Sequence, residues 1–121
     1  MLRNASLGAL TAACLATLAP SGSNASAFVA WDVYNVPWGD VLNARKYPSS
    51  QSQIQAAYPN GTVLSMTGRC TGGVDLFAIQ NQPRWKQRQA VRYRWCEIWH
   101  DPAQNGNFRT GWVYGKYITP H

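Results

Sequence analysis

Acidic residues, histidines and cysteines are all scarce in this 121-residue chain: five Asp and Glu stand against eleven Lys and Arg, with two His and three Cys. That scarcity excludes most site chemistry. A structural metal needs clustered ligands, yet Cys70 and Cys96 have no close cysteine or histidine partner of the C-x-x-C kind, so no metal and no cofactor are expected. A serine nucleophile needs a histidine within hydrogen-bond reach, and no serine stands in a recognisable elbow. The best remaining grouping for acid–base work is Glu97, His100 and Asp101. Side chains alternate along a strand, which puts Glu97 and His100 on opposite faces unless the strand ends between them. No catalytic residues are therefore assigned. Internal repeats and low-complexity linkers are absent too, and the apolar run Leu7–Leu18 is too short to anchor in a bilayer.

The N-terminal stretch Met1–Ala27 reads as a secretory signal, with Arg3 as the short positive start, Leu7–Leu18 as the apolar segment and Ala25-Ser26-Ala27 as the cleavage site. Two alternatives stand beside it: a buried N-terminal helix, and a lipoprotein acylated at Cys14. Cleavage after Ala27 predicts a periplasmic or secreted protein of one domain, residues 28–121, with no transmembrane segment. Only Arg3 among the charged residues is lost, so ten basic residues face five acidic ones, a net charge of +5. In an oxidising compartment Cys70 and Cys96 are expected to pair, a metal site and a reactive thiol being the competing readings. Such a closure stabilises a small domain by roughly 3 kcal/mol.

The stretch that organises the rest is Ala90–His100, AVRYRWCEIWH, in which β-branched and aromatic residues dominate and the two faces alternate. It is expected to be a central strand. Around it, Phe28–Val36, Val41–Arg45, Thr62–Thr67 and Phe108–Tyr114 read as further strands. Lys46–Ala57 reads as a long polar loop stapled by a buried Ile54, and Tyr58-Pro59-Asn60-Gly61 as a turn. Asp101–Asn107 reverses the chain, and Gly115–Ile118 is a tight closing turn. The segment Thr71–Gln89 differs from its surroundings: Asp75–Gln80 has room for a turn or two of helix, which Pro83 is expected to end. With six tryptophans, these short strands predict a small all-β barrel or sandwich.

Four blocks carry a family resemblance: Asp40–Arg45 followed by Pro48-Ser49-Ser50; Pro59–Leu64; Trp95–Ile98; and Gly111-Trp112-Val113 with Tyr117-Ile118. In this order the chain resembles the bacterial Src-homology-3-like domains of exported and cell-envelope proteins, over about Val41–Ile118. The resemblance implies a strongly bent barrel of five to six strands, in the subset whose cysteine pair ties two neighbouring strands. Ala44, where that family usually has valine or isoleucine, and the insertion at about 71–89 depart from the pattern. The family commonly binds peptides or cell-wall material without doing chemistry, which implies a groove at Trp95, Tyr117 and Tyr47. Aromatic rings there can stack on proline or sugar rings.

Arg84, Lys86, Arg88, Arg92 and Arg94 lie within eleven positions that hold no acid, and such a patch suits an anionic partner. The expected role is a non-catalytic envelope module that recognises peptide, peptidoglycan or another anionic glycan. A structural or inhibitory subunit docking on another envelope protein is the alternative, and a small hydrolase a third. Charge plus aromatics also fits nucleic acid, but the signal sequence argues against that partner.

Overall fold

A computed structural model describes residues 29–121. The predicted leader Met1–Ala27, with Cys14, and Phe28 at the head of the predicted first strand lie outside the described residues. Seven strands form one antiparallel sheet: β1 (Val29–Val33), β2 (Leu42–Arg45), β3 (Ile54–Tyr58), β4 (Val63–Cys70), β5 (Trp95–His100), β6 (Arg109–Tyr114) and β7 (Ile118–Pro120). Their spatial order is β3-β2-β6-β5-β4-β1-β7. The all-β expectation holds, with two corrections. There are seven strands where five to six were expected, and β3 and β7 are free edges, so the pairing does not close into a barrel.

The core follows from alternation. Trp31 and Val33 of β1, Leu64 and Met66 of β4, Cys96 and Ile98 of β5, and Val113 of β6 all turn inward, where Ile118 of β7 joins them. Ala44 of β2 is fully buried, so the small residue noted in the sequence occupies a true core position. Between β4 and β5, Cys70 stands directly opposite Cys96, and the two are disulfide-bonded with Cα atoms 4.0 Å apart. The expected pairing of neighbouring strands is thereby observed.

Two predicted elements need correction. The loop expected across Lys46–Ala57 gives way to β3 at Ile54, and Ile54 is half exposed at the sheet edge rather than a buried staple. Lys46 N–H donates to the Gln53 carbonyl (2.9 Å), which shortens that loop and brings β3 alongside β2. Tyr58, read as part of the turn, is the last residue of β3, and the reversal falls on Pro59–Gly61, with Gly61 at φ +90°.

The second correction concerns the insertion. It holds a 3-10 turn at Thr71–Gly73, a short helix α1 (Leu76–Ile79) and a second helix α2 (Arg84–Val91). Asp75 caps α1 by accepting from the Phe77 N–H at 2.9 Å, close to the predicted position. Pro83 does stop α1, but it also starts α2, because proline lacks only an N–H that a helix's first turn leaves unpaired anyway. Its carbonyl accepts from Lys86 and Gln87. The central strand consequently begins at Trp95, and Ala90–Arg94 belongs to the helix end and the turn after it. Gln87 and Val91, four apart, are the buried residues of α2, and Gln87 Nε2 donates to the Gln82 carbonyl at 2.8 Å. Among the described residues no helix is long and apolar enough to cross a membrane.

Candidate functional site

Trp95 opens β5 and Tyr114 ends β6, and the two are cross-strand partners on the outer face of the sheet. Their ring centroids lie 5.2 Å apart. Immediately after β6, Gly115 N–H donates to the Arg94 carbonyl (2.8 Å), which extends the pairing into the 3-10 turn Gly115–Tyr117 and sets the Tyr117 ring 6.4 Å from that of Tyr114. The three rings are half-buried and line one side of a cleft of about 540 Å³, whose other walls include Val36, Pro37, Val41, Leu42 and Arg45. The opposite wall is pinned by Asn60, whose side chain accepts from the Val36 N–H (3.0 Å) and donates to the Val36 carbonyl (2.9 Å). Asn60 thus stands in for a strand partner and holds the Pro37–Asp40 turn, with Gly39 at φ +82°, beside the rings.

Of the aromatic residues expected in the groove, the structure brings Trp95 and Tyr117 together and adds Tyr114. Tyr47 is elsewhere. Its N–H donates to Ser52 Oγ (2.8 Å), which folds its loop back on itself, and it lines a different hollow with Pro48, Arg69, Asp75 and Trp112. The Arg69 guanidinium covers the Trp112 ring there at 5.5 Å from its centroid, and Trp112 is buried.

The basic cluster is divided by the helix that the strand reading missed. Residues three and four apart share a helix face, so Trp85, Arg88, Gln89 and Arg92 line a smaller cleft together with Tyr34, Gly115 and Lys116. Arg84, one turn before Arg88, lines a separate hollow with Gln87 and Pro120, and both arginines donate to Thr119 Oγ1, at 3.4 and 3.2 Å. Lys86 lies over the Trp85 ring at 5.7 Å. Arg94 lies against Gly72, where any side chain would meet its guanidinium. Lys116, which did not belong to the basic run in the sequence, completes the cleft from the far side.

Glu97 and His100 face opposite ways, as alternation requires. Glu97 accepts from Thr67 Oγ1 at 3.0 Å on the outer face, while His100 is buried and its Nδ1 shares a hydrogen bond with Tyr58 Oη at 3.0 Å. His100 Nε2 is buried without a partner, against Gly111. Burial first, and then the Arg109 charge, hold the imidazole pKa below its ordinary value, with Asp101 opposing them. Burial likewise raises the pKa of Tyr58. Among the described residues no three of His, Cys, Asp and Glu gather where a metal ion could sit.

Comparison of the chain with family models, with curated protein sequences and with solved structures finds no match in any of the three.

Proposed function

We propose that this protein is a non-catalytic binding module of the bacterial cell envelope, exported behind the leader Met1–Ala27 and built on a Src-homology-3-like plan. Its ligand is a peptide or a peptidoglycan strand laid against Trp95, Tyr114 and Tyr117. The observation that carries this reading is the contiguous set of three half-buried rings beside a cleft of about 540 Å³. Rings that are neither sealed in the core nor fully exposed offer flat, rigid apolar faces that lose little entropy when a proline or sugar ring stacks on them. Support for the plan comes from the placement of the matching blocks: Leu42–Arg45, Val63–Leu64, Trp95–Ile98 and Gly111–Val113 are all strand residues of one antiparallel sheet. Support for a role without chemistry comes from Glu97 and His100, the best acid–base candidates, which share no cleft.

The test is co-sedimentation of the purified protein with peptidoglycan sacculi. Trp95→Ala is expected to weaken capture about thirtyfold, the factor that corresponds to the loss of a hot-spot side chain worth about 2 kcal/mol. Trp95→Phe, which keeps a ring, is expected to retain most of it. Equal capture of wild type and Trp95→Ala, with unchanged circular dichroism, overturns the proposal.

A further inference from the structure

The cleft between α2 and the Gly115–Tyr117 turn is separate from the three-ring cleft, yet it adjoins it through that turn: Tyr117 lines one, Gly115 and Lys116 the other. Its volume is about 250 Å³, room for a single ring with its substituent. Arg88, Arg92 and Lys116 converge on it from two elements, and no acid lines it. Among the described residues the one ion pair is that of His121 with Asp32, so none of these three cations has a carboxylate partner. Arg84 and Arg88 stand four residues apart on α2 and Arg92 caps its C-terminal end a further four residues on, a spacing at which like charges repel. A bound anion relieves that repulsion.

The site is partly preorganised. The Arg88 guanidinium rests 5.8 Å from the Tyr34 ring centroid and is tied to Thr119 Oγ1 at 3.2 Å. Arg92 Nε donates to Tyr93 Oη at 3.2 Å, and the Lys116 ammonium stands 5.7 Å from the Tyr117 ring centroid. Trp85 remains 56% exposed on the same wall. Guanidinium groups present a fork that matches a planar anion, and a neighbouring exposed indole offers a stacking face.

We infer that this cleft is a second subsite, specific for an acidic saccharide: a pyranose whose anionic substituent is held by Arg88, Arg92 and Lys116 while its ring lies on Trp85. This inference rests on the three-ring cleft being a ligand groove, since the acidic sugar would be the next unit of a chain crossing the Gly115–Tyr117 turn. An Asp or Glu side chain of an acidic peptide supplies the anion but no ring of its own for Trp85, whereas a uronic acid carries both on one unit. A single-stranded nucleic acid requires a succession of ring-and-cation sites along its path, and this cleft provides one.

The experiment is calorimetric titration of the full mature chain with trigalacturonate, a defined uronic-acid oligomer, beside neutral chitotriose, hexaglutamate, inorganic phosphate and a thymidine oligonucleotide. Trigalacturonate is expected to bind best. The double variant Arg92→Gln/Lys116→Gln, which spares the Arg88–Thr119 contact, is expected to weaken it about tenfold, as loss of two partly exposed charge pairs implies. Raised salt is expected to weaken the wild type more than the double variant. Failure of trigalacturonate to bind, equal affinity in the double variant, or equal binding of chitotriose, hexaglutamate, phosphate or the oligonucleotide overturns the inference. Sacculus capture that still depends on Trp95 would in that event leave the groove reading standing, whereas capture indifferent to Trp95 removes the groove reading itself.

Discussion

Reducing the Cys70–Cys96 bond closes an experiment around a single number. The bond joins residues 26 apart in sequence, and the chain-entropy relation for a loop of that length gives about 3.5 kcal/mol of stabilisation, acting through the unfolded state. A domain of this size has a total stability of about 5–15 kcal/mol, so the bond accounts for a quarter or more of it. Both cysteines are buried, and reduction without alkylation leaves their volume in place, so no cavity adds to the effect. Urea unfolding at 25 °C, followed by tryptophan fluorescence with and without excess reductant, is expected to show the midpoint falling by about 2 M, given slopes usual for small domains. The enclosed loop carries α1 and α2, so the reduced protein is also expected to lose helical signal before the sheet melts. A fall below about 1 kcal/mol would refute the reasoning and mean that Leu76 and Val91, the buried anchors of the two helices, hold the insertion unaided.

Two further outcomes follow from the same packing. A Cβ on Gly115 would run into the Val91 carbonyl oxygen and approach the Arg94 carbonyl oxygen to 3.0 Å. These are backbone atoms with little freedom to yield, so Gly115→Ala is expected to cost about 1–3 kcal/mol in urea unfolding, and a loss under about 0.5 kcal/mol would contradict the close seat of the turn on α2. For His100 the folded-state pKa lies below the ordinary 6.5, so the unfolded chain binds more protons near that pH. Its contribution to stability is complete above 6.5 and is lost as pH falls from there through the folded-state value. Unfolding midpoints measured from pH 7.5 downward are expected to decline in the wild type and to decline less in His100→Gln; identical slopes would rule out His100 as the cause.

What could be read in the sequence was governed by how strongly each segment expresses its own periodicity. Cys96, Ile98 and His100 turn inward while Trp95, Glu97 and Trp99 turn outward, and period two alone foretells that. The same period carried back to Ala90 failed, because α2 buries only a glutamine and a valine and leaves no apolar stripe at helical spacing. Pro83 added to the error, since its missing N–H suits a helix start as well as a helix end. Strand β3, Ile-Gln-Ala-Ala-Tyr, is partly exposed on both faces and exists because β2 pairs with it, a long-range cause that local composition does not carry. Of the three rings that line the larger cleft, the family resemblance points to Trp95 and Tyr117. Tyr114 could have been found as the mate of Trp95 in a hairpin. Lys116 could not, because its place opposite Arg88 and Arg92 depends on the turn meeting a helix twenty-odd residues upstream.

Strand β1 lies between β4 and β7, and the second of those neighbours, Ile118–Pro120, is distant from it in sequence. Asp32 meets His121 across a separation of 89 residues, and Trp31 pairs with Pro120. One flank of β1 therefore stays unpaired until a segment 89 residues away in sequence docks against it. Pairing across so long a span raises the contact order, and the sheet is expected to form more slowly than one assembled from hairpins alone.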